Sequence, residues 1–194
     1  MIVASVCSLI VIGVFLRMSF SYTSKRKNRV YSIGKQAAPS IGVFKNLSKF
    51  LFVSSMLLTL LSYWLPLKLL IQIPPSDFQQ VIGALIVAYG SYRLARVFSI
   101  LGNNYSPVFD AYQPFELITQ GPYRIIRHPI YLYNLFVSFG LAISSGSGLV
   151  AINAITGLIF ILKAIKLEEK YLTDIFSDYA DYKKHSWRLI PGVF

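Results

Sequence analysis

The residues able to do chemistry gather in three short stretches of a 194-residue chain. The richest is Gly121-Pro122-Tyr123-Arg124-Ile125-Ile126-Arg127-His128-Pro129-Ile130-Tyr131. Proline suits the first turn of a helix, where its missing N–H would be unpaired in any case, so Pro129 predicts a helix whose mouth carries Arg127 and His128. The free amides of that turn, together with Arg127, make a place for a carboxylate or phosphate. Tyr131 falls on the same turn, with a hydroxyl or a ring face to offer a cationic ligand. The same residues also fit a plainer role, the anchoring of a membrane helix at the headgroups.

The second stretch is Glu168-Glu169, preceded by Lys163 and Lys166. Acids at the edge of an apolar run are costly unless paired or used, which makes them candidates for function. Lys166 and Lys170 flank the pair at helical spacing, so simple neutralisation is the competing reading. The third stretch, Leu101-Gly102-Asn103-Asn104-Tyr105-Ser106-Pro107, reads as a helix stop and a turn. Several chemistries lack their motifs: there is no GxGxxG loop, no phosphate-binding P-loop and no HExxH pair. With His128, His185 and a lone Cys7 inside an apolar run, no protein-held metal and no disulfide framework are expected. A serine nucleophile served by His128 would lack the Gly-x-Ser-x-Gly elbow that exposes one.

The elements that must position these residues are membrane helices. The chain is 55% hydrophobic and only 14% charged, too little charge to coat a soluble globule of this size. Its formal net charge of +11 could suggest a nucleic-acid binder, but the Lys and Arg lie between long apolar runs instead of forming a wetted face, so nucleic acid is not an expected partner. A hydrocarbon core of roughly 30 Å needs about 20 helical residues. Residues 1–16, 50–67 and 78–101 qualify as spans, the first as a retained anchor, since it lacks the basic start and small-residue exit of a cleaved signal. Residues 129–162 are too long for one span and contain the polar turn Ser144-Ser145-Gly146-Ser147-Gly148, which predicts two helices in a tight hairpin.

The expected fold class is therefore an all-α integral membrane protein of about five transmembrane helices, the last two a hairpin. Apolar positions Leu172, Ile175, Phe176, Tyr179 and Tyr182 add an amphipathic C-terminal helix on the cytoplasmic side. Residues 1–100 would hold the first three spans with a basic loop at 23–46, and residues 101–194 the region that carries the chemistry. Five spans put eighteen of the nineteen Lys and Arg on one side and leave only Lys68 on the other. This predicts an outside N-terminus and a cytoplasmic C-terminus, in a bacterial inner membrane.

Taken in order, the three stretches resemble the isoprenylcysteine carboxyl methyltransferase family of integral membrane enzymes and its bacterial members. The resemblance runs from Leu101-Gly102-Asn103-Asn104-Tyr105-Ser106 through Glu116 to Tyr123, Arg127-His128-Pro129-Ile130-Tyr131 and Glu168-Glu169. It continues through Phe176, Tyr179 and Tyr182 to Arg188-Leu189-Ile190-Pro191. It implies methyl transfer from S-adenosylmethionine to a lipophilic or prenylated acceptor that enters from membrane lipid. It also implies a cofactor site made of Gly121, Tyr123, Arg127, His128, Pro129, Tyr131, Glu168 and Glu169, with Glu168, Lys166 and Arg127 at the reacting groups and no metal.

The acceptor suggested first is the carboxylate of an isoprenylcysteine-like substrate, with a thiol or a phospholipid amine as alternatives. Members acting on prenylcysteine carboxylates place an Arg about a turn before the Glu pair, where this chain has Ala164. Lys163 or Lys166 would substitute only as a point charge without the planar fork. Tyr105 stands where relatives often carry Trp. Two rival classes are a nicotinamide-dependent reductase resembling the sterol reductases, which carry Asn where this chain has Ile130, and a membrane scaffold without catalysis.

Overall fold

The computed structural model describes residues 2–27, 41–65, 73–102 and 116–194. Asn103, Asn104, Tyr105, Ser106 and Pro107 of the third stretch lie outside them, as do Arg29, Lys35 and Lys68 of the charge pattern. The described residues form five long helices: α1 (Ile2–Lys27), α2 (Ile41–Trp64), α3 (Asp77–Leu101), α4 (Pro129–Ser145) and α5 (Gly148–Ile175). A 3₁₀ turn at Gly121–Arg124 leads into α4, and a six-residue α6 (Tyr179–Lys184) follows α5. No strand occurs among the described residues; the one isolated bridge pairs Ile126 with Trp187.

The helix ends follow local chemistry. α3 starts on a capping box: the Ser76 hydroxyl accepts from the Gln79 amide at 3.3 Å, and the Gln79 side chain accepts from the Ser76 amide at 3.0 Å. α4 opens on Pro129 and closes at Gly146, whose φ of 59° is left-handed and where any Cβ would run into the Ile73 carbonyl. Only Gly146 and Ser147 separate α4 from α5, so the polar turn at 144–148 does make the tight hairpin its residues suggest.

α3 and α5 are long and apolar enough to cross a membrane. The apolar stretches of the other three, Ile2–Met18, Lys49–Trp64 and Pro129–Ser145, are shorter. Large apolar side chains are exposed along all five helices, such as Leu9, Leu57, Leu85, Ile152 and Ile155, with Phe136 and Ile143 on α4. Such faces are at home in lipid, not water.

Without a hydrophobic drive between helices in lipid, association depends on close packing of small residues and on interhelical hydrogen bonds. Both are present. α3 and α4 run antiparallel in the most extensive contact of the bundle. Gly83, Val87, Gly90, Leu94 and Val97 form its buried stripe on α3. It meets Tyr133, Val137, Gly140, Leu141 and Ser144 on α4. A Cβ on Gly83 would sit 2.6 Å from the Gly140 carbonyl oxygen, and one on Gly90 3.1 Å from that of Tyr133. Polar ties join the hairpin end: Ser144 donates to the Gln80 carbonyl at 2.8 Å and bonds the Tyr63 hydroxyl, and Asn153 donates to Ser54 at 3.1 Å. Cys7 is a buried apolar-run residue, as its neighbours suggest.

The amphipathic C-terminal helix differs from expectation. Leu172 and Ile175 continue α5, which breaks at Phe176 in an extended conformation (φ −121°, ψ 114°), and Tyr179 and Tyr182 belong to the separate α6. In the break the Ser177 hydroxyl donates to Asp178 Oδ1 at 2.9 Å.

Gly83→Leu should lower stability by about 1–3 kcal/mol, since the backbone of α4 cannot retreat without breaking the seam. Gly157→Leu, where a Cβ meets nothing within 4 Å, should leave it unchanged. Thermal unfolding of both variants in detergent distinguishes the seam from a general intolerance of bulk.

Candidate functional site

The 3₁₀ turn is fixed before the site begins. Gly121 has a φ of 58°, and a Cβ there would press on the end of the Ile100 side chain, so the turn lies against the close of α3. Tyr123 is buried, and its carbonyl accepts from the Tyr182 hydroxyl at 2.6 Å. Beyond it the backbone at 125–128 pairs with the C-terminal segment. The Trp187 amide donates to Ile125 at 2.9 Å, the Arg127 amide to Trp187 at 2.7 Å and the His128 amide to Arg188 at 3.1 Å. This short parallel clip holds the mouth of α4 against residues 186–189, and Pro129 then starts α4 fully buried.

On that frame α4 and α5 bring their charged residues together. The Arg127 Nε donates to Glu169 Oε1 at 2.8 Å, and the Arg188 Nε donates to Glu169 Oε2 at 2.9 Å. His128 stands between the acids, Nδ1 at 3.5 Å from Glu168 Oε2 and Nε2 at 3.4 Å from Glu169 Oε1. The side chains of Arg127, His128 and Glu169 are 8%, 3% and 7% exposed, which makes this a desolvated charge cluster and not a surface ion pair. Arg127 also donates through Nη1 to the Lys183 carbonyl at 3.2 Å and to the Ser186 carbonyl, so it ties the C-terminal segment as well as Glu169. Tyr131 stacks on His128, ring centroids 5.7 Å apart.

The electrostatics follow from these contacts. Burial alone would push the His128 imidazole down, but the carboxylates of Glu168 and Glu169 more than reverse that and raise its pKa. Burial pushes the Tyr182 phenol up to about 12, against the pull of Arg127 and the Ser186 hydroxyl. Tyr179, wholly buried, is raised further by burial and by the facing carboxylates of Glu169 and Glu168. Both tyrosines are therefore neutral donors at physiological pH.

The Tyr179 hydroxyl is buried without a hydrogen-bond partner, and His128 Nε2 and Glu168 Oε2 have only the long ion-pair contacts given above. Native structures rarely leave a buried hydroxyl unsatisfied, which marks this region as a place for a ligand.

The residues singled out from sequence are thus divided. Arg127, His128, Tyr131, Glu168 and Glu169 come together; Pro129 and Tyr123 support them. Gly121 is exposed, with no described contact to the cluster. Lys166 is exposed on α5 and makes no described contact with the glutamates, as is Lys163, which lies 6.0 Å from the Phe160 ring centroid. Four residues of the cluster, Tyr179, Tyr182, Ser186 and Arg188, were not among the candidates. Arg188 opens the Arg-Leu-Ile-Pro string at the end of the resemblance, which is the signal that points to it. Among the described residues no group of His, Cys, Asp and Glu could hold a metal ion.

Comparison with known proteins shows the family. The phospholipid methyltransferase family matches residues 78–179, just over half of the chain and inclusive of both the α4 mouth and the glutamate pair. Methanethiol S-methyltransferase 1 of Bradyrhizobium diazoefficiens is 31% identical over 153 residues, 73% of this chain and 52% of that protein. Protein-S-isoprenylcysteine O-methyltransferase of Dictyostelium discoideum is 29% identical over 120 residues, 58% of this chain and 49% of that protein. The cobalt-zinc-cadmium resistance protein CzcN of Cupriavidus metallidurans is 33% identical over 80 residues, 40% of this chain and 36% of that protein. This chain spans from 36% to 52% of the lengths of these curated relatives. With the family match lying across both the Arg-His-Pro helix mouth and the paired glutamates, the chain belongs to the phospholipid methyltransferase family of membrane methyltransferases.

Proposed function

We propose that this chain transfers a methyl group from S-adenosylmethionine to a lipophilic acceptor drawn from the bilayer. The observation that carries the reading is the buried charge cluster in which His128 stands between Glu168 and Glu169, beside the unpartnered Tyr179 hydroxyl, at the meeting of two antiparallel helices. Their chemistry fits this cofactor. Glu168 suits its ammonium or ribose hydroxyls, a protonated His128 and the first-turn amides of α4 suit its carboxylate, and the Tyr131 ring suits a sulfonium. The cofactor, when bound, supplies a methyl group already activated on sulfur. The residues of this chain then have to align the acceptor and keep water out, and most of them are buried enough to do so. Arg127 acts here as a positioning residue, since its guanidinium is occupied by Glu169 and the C-terminal segment. Five spans, with the site at the cytoplasmic face, complete the reading.

The acceptor is better taken as a thiol or an amine than as a prenylcysteine carboxylate. Where carboxylate-directed members carry Arg, Ala164 is buried. Lys163 and Lys166 point outward, while Arg127 and Arg188 are already paired with Glu169. Of this cluster only the half-exposed Arg188, bound to Glu169 through Nε alone, keeps terminal N–H groups for a second carboxylate, and it comes from the C-terminal segment, not from the helix turn before the Glu pair.

Calorimetry on the purified chain in nanodiscs should give micromolar affinity for S-adenosylmethionine and poor binding of NADPH. The opposite preference would favour the reductase, and binding of neither the scaffold. Arg127→Ala and Glu168→Gln should each weaken cofactor binding or turnover of the folded protein at least tenfold, about 1.4 kcal/mol; Glu168→Gln should keep its folded yield, whereas Arg127→Ala, which strips buried Glu169 of a partner, should also lower stability, and normal turnover in both would place the site elsewhere. The raised His128 pKa predicts the pH dependence. The imidazolium that favours an anionic carboxylate is fully populated below the ordinary value of 6.5 and lost as the pH climbs through the raised one, so affinity should fall on the alkaline side. In His128→Asn the same titration should be flat.

A further inference from the structure

The clip that seats Arg127 and His128 also delivers Arg188, and most of that guanidinium is unused. Its Nε donates to Glu169 Oε2 at 2.9 Å, while its terminal N–H groups have no partner among the described residues. Arg127 is differently placed. It donates through Nε to Glu169 and through Nη1 to the Lys183 and Ser186 carbonyls, and its side chain is 8% exposed against 39% for Arg188. Of the two arginines on the buried carboxylate, Arg188 is the one open to a ligand.

The open guanidinium is already held. The His128 amide donates to the Arg188 carbonyl at 3.1 Å, the Phe194 ring centroid lies 5.2 Å from the guanidinium carbon, and the bond to Glu169 sets the plane of the fork. A side chain so restrained has given up much of its rotamer freedom before a ligand arrives, so a further pair of bonds costs little more ordering. Its position is at the join of two environments. Leu189 and Phe194, on either side of it in the return turn, pack into the apolar seam of α4 and α5 with Leu135 and Ile165, and the same seam holds Tyr131, the ring stacked on His128.

The charges of the cluster do not cancel. Arg127, Arg188 and a protonated His128 are three cations against the carboxylates of Glu168 and Glu169, and the ion pairs among them already engage both acids. One positive charge is left over in a largely desolvated place, where an uncompensated charge is costly. Arg188 is the accessible end of that surplus, and a planar anion of single charge is the group that closes it.

We propose that Arg188 is the carboxylate-binding residue of this site, its terminal N–H groups gripping the carboxylate of a bound reactant in bidentate fashion. This rests on the methyl-transfer reading and adds to it a residue that determines specificity. Two reactants could bring the group. S-adenosylmethionine carries one carboxylate and a prenylcysteine acceptor another, whereas a simple thiol or an amine acceptor leaves the cofactor as the source.

The test is calorimetry on the full chain in nanodiscs with two pairs of ligands, each pair differing in a carboxylate. The first is S-adenosylmethionine and its decarboxylated form; the second is S-farnesyl-N-acetylcysteine and its methyl ester. Arg188→Gln should weaken the carboxylate-bearing member of one pair by roughly tenfold or more and leave the other member of that pair unchanged. Loss in the first pair assigns the carboxylate to the cofactor, and loss in the second assigns it to the acceptor. No loss in either pair overturns the proposal. So does an equal loss for both members of a pair, which would make Arg188 only a support for Glu169. Lys184→Gln, exposed and paired with Asp181, should change nothing. Should Arg188→Gln fail to fold, Arg188→Lys, which keeps a cation for Glu169 without the planar fork, must cut the preference for the carboxylate-bearing member by about threefold or more. A native chain that binds neither form of the cofactor defeats the methyl-transfer reading and Arg188 with it; normal binding that Arg188→Gln does not alter defeats the role of Arg188 alone.

Discussion

A carboxylate that is taken out of water has to be met on every side, and in this chain that constraint falls on Glu169. Its two oxygens take Arg127 from the mouth of α4 and Arg188 from the C-terminal segment, with the His128 ring against one of them. These partners come from two stretches of chain remote from Glu169, so a single buried charge defines where α4, α5 and residues 186–189 must meet. Such a cluster is weak evidence for added stability, since desolvation cancels much of the attraction. Its value is in specificity of arrangement: loss of one partner leaves an uncompensated buried charge, a penalty of about 3–5 kcal/mol that no shifted packing recovers.

The cluster forms only if the helices deliver the residues at the same height. Gly146 and Ser147 make the hairpin turn, from which α4 runs 17 residues and α5 28. At about 1.5 Å per residue, α5 extends well beyond α4, and Glu168 and Glu169 stand roughly level with the residues that precede Pro129. The glycine seam sets the other coordinate. Gly83, Gly90 and Gly140 let α3 hold α4 at close range, and Gly121 seats the 3₁₀ turn on Ile100. Packing along the helices thus determines the position of a charged mouth at one end of the bundle.

Much of this is legible in the residues. Pro129, the polar turn at 144–148 and the long apolar runs specify where α4 and α5 start and stop, because proline, left-handed glycine and lipid-length hydrophobicity act locally. The convergence of His128 with the glutamates is legible only through the hairpin, which converts a separation of forty residues into a contact. What is not legible is the share of each charge. Arg127 reads as a ligand for an anion, but the structure has it donating to Glu169, Lys183 and Ser186, and nothing local to residue 127 announces those partners. Lys166 looks like a neighbour of the acids by spacing, three residues before Glu169, yet Glu169 is buried and taken by Arg127 and Arg188 while Lys166 stays exposed. The break at Phe176 escapes a periodicity reading for the same reason: apolar spacing persists across it while the backbone does not.

The C-terminal segment shows why a motif can mark a residue without explaining it. Arg188 must reach Glu169 with a long, flexible side chain, and alone it would lose much of the gain to rotamer entropy. Two features remove that freedom before the ion pair forms. Main-chain bonds between 125–128 and 187–188 fix the backbone on either side, and the guanidinium lies 5.2 Å from the centroid of the Phe194 ring. The Leu189 amide, bonded to the Phe194 carbonyl at 2.9 Å, folds the segment back so that this ring is available. Pro191 falls inside that return turn, where its own missing amide is no loss. An Arg-Leu-Ile-Pro string is therefore a unit in which the turn orients the arginine, the arginine completes the carboxylate, and the carboxylate holds the helix mouth open in one geometry.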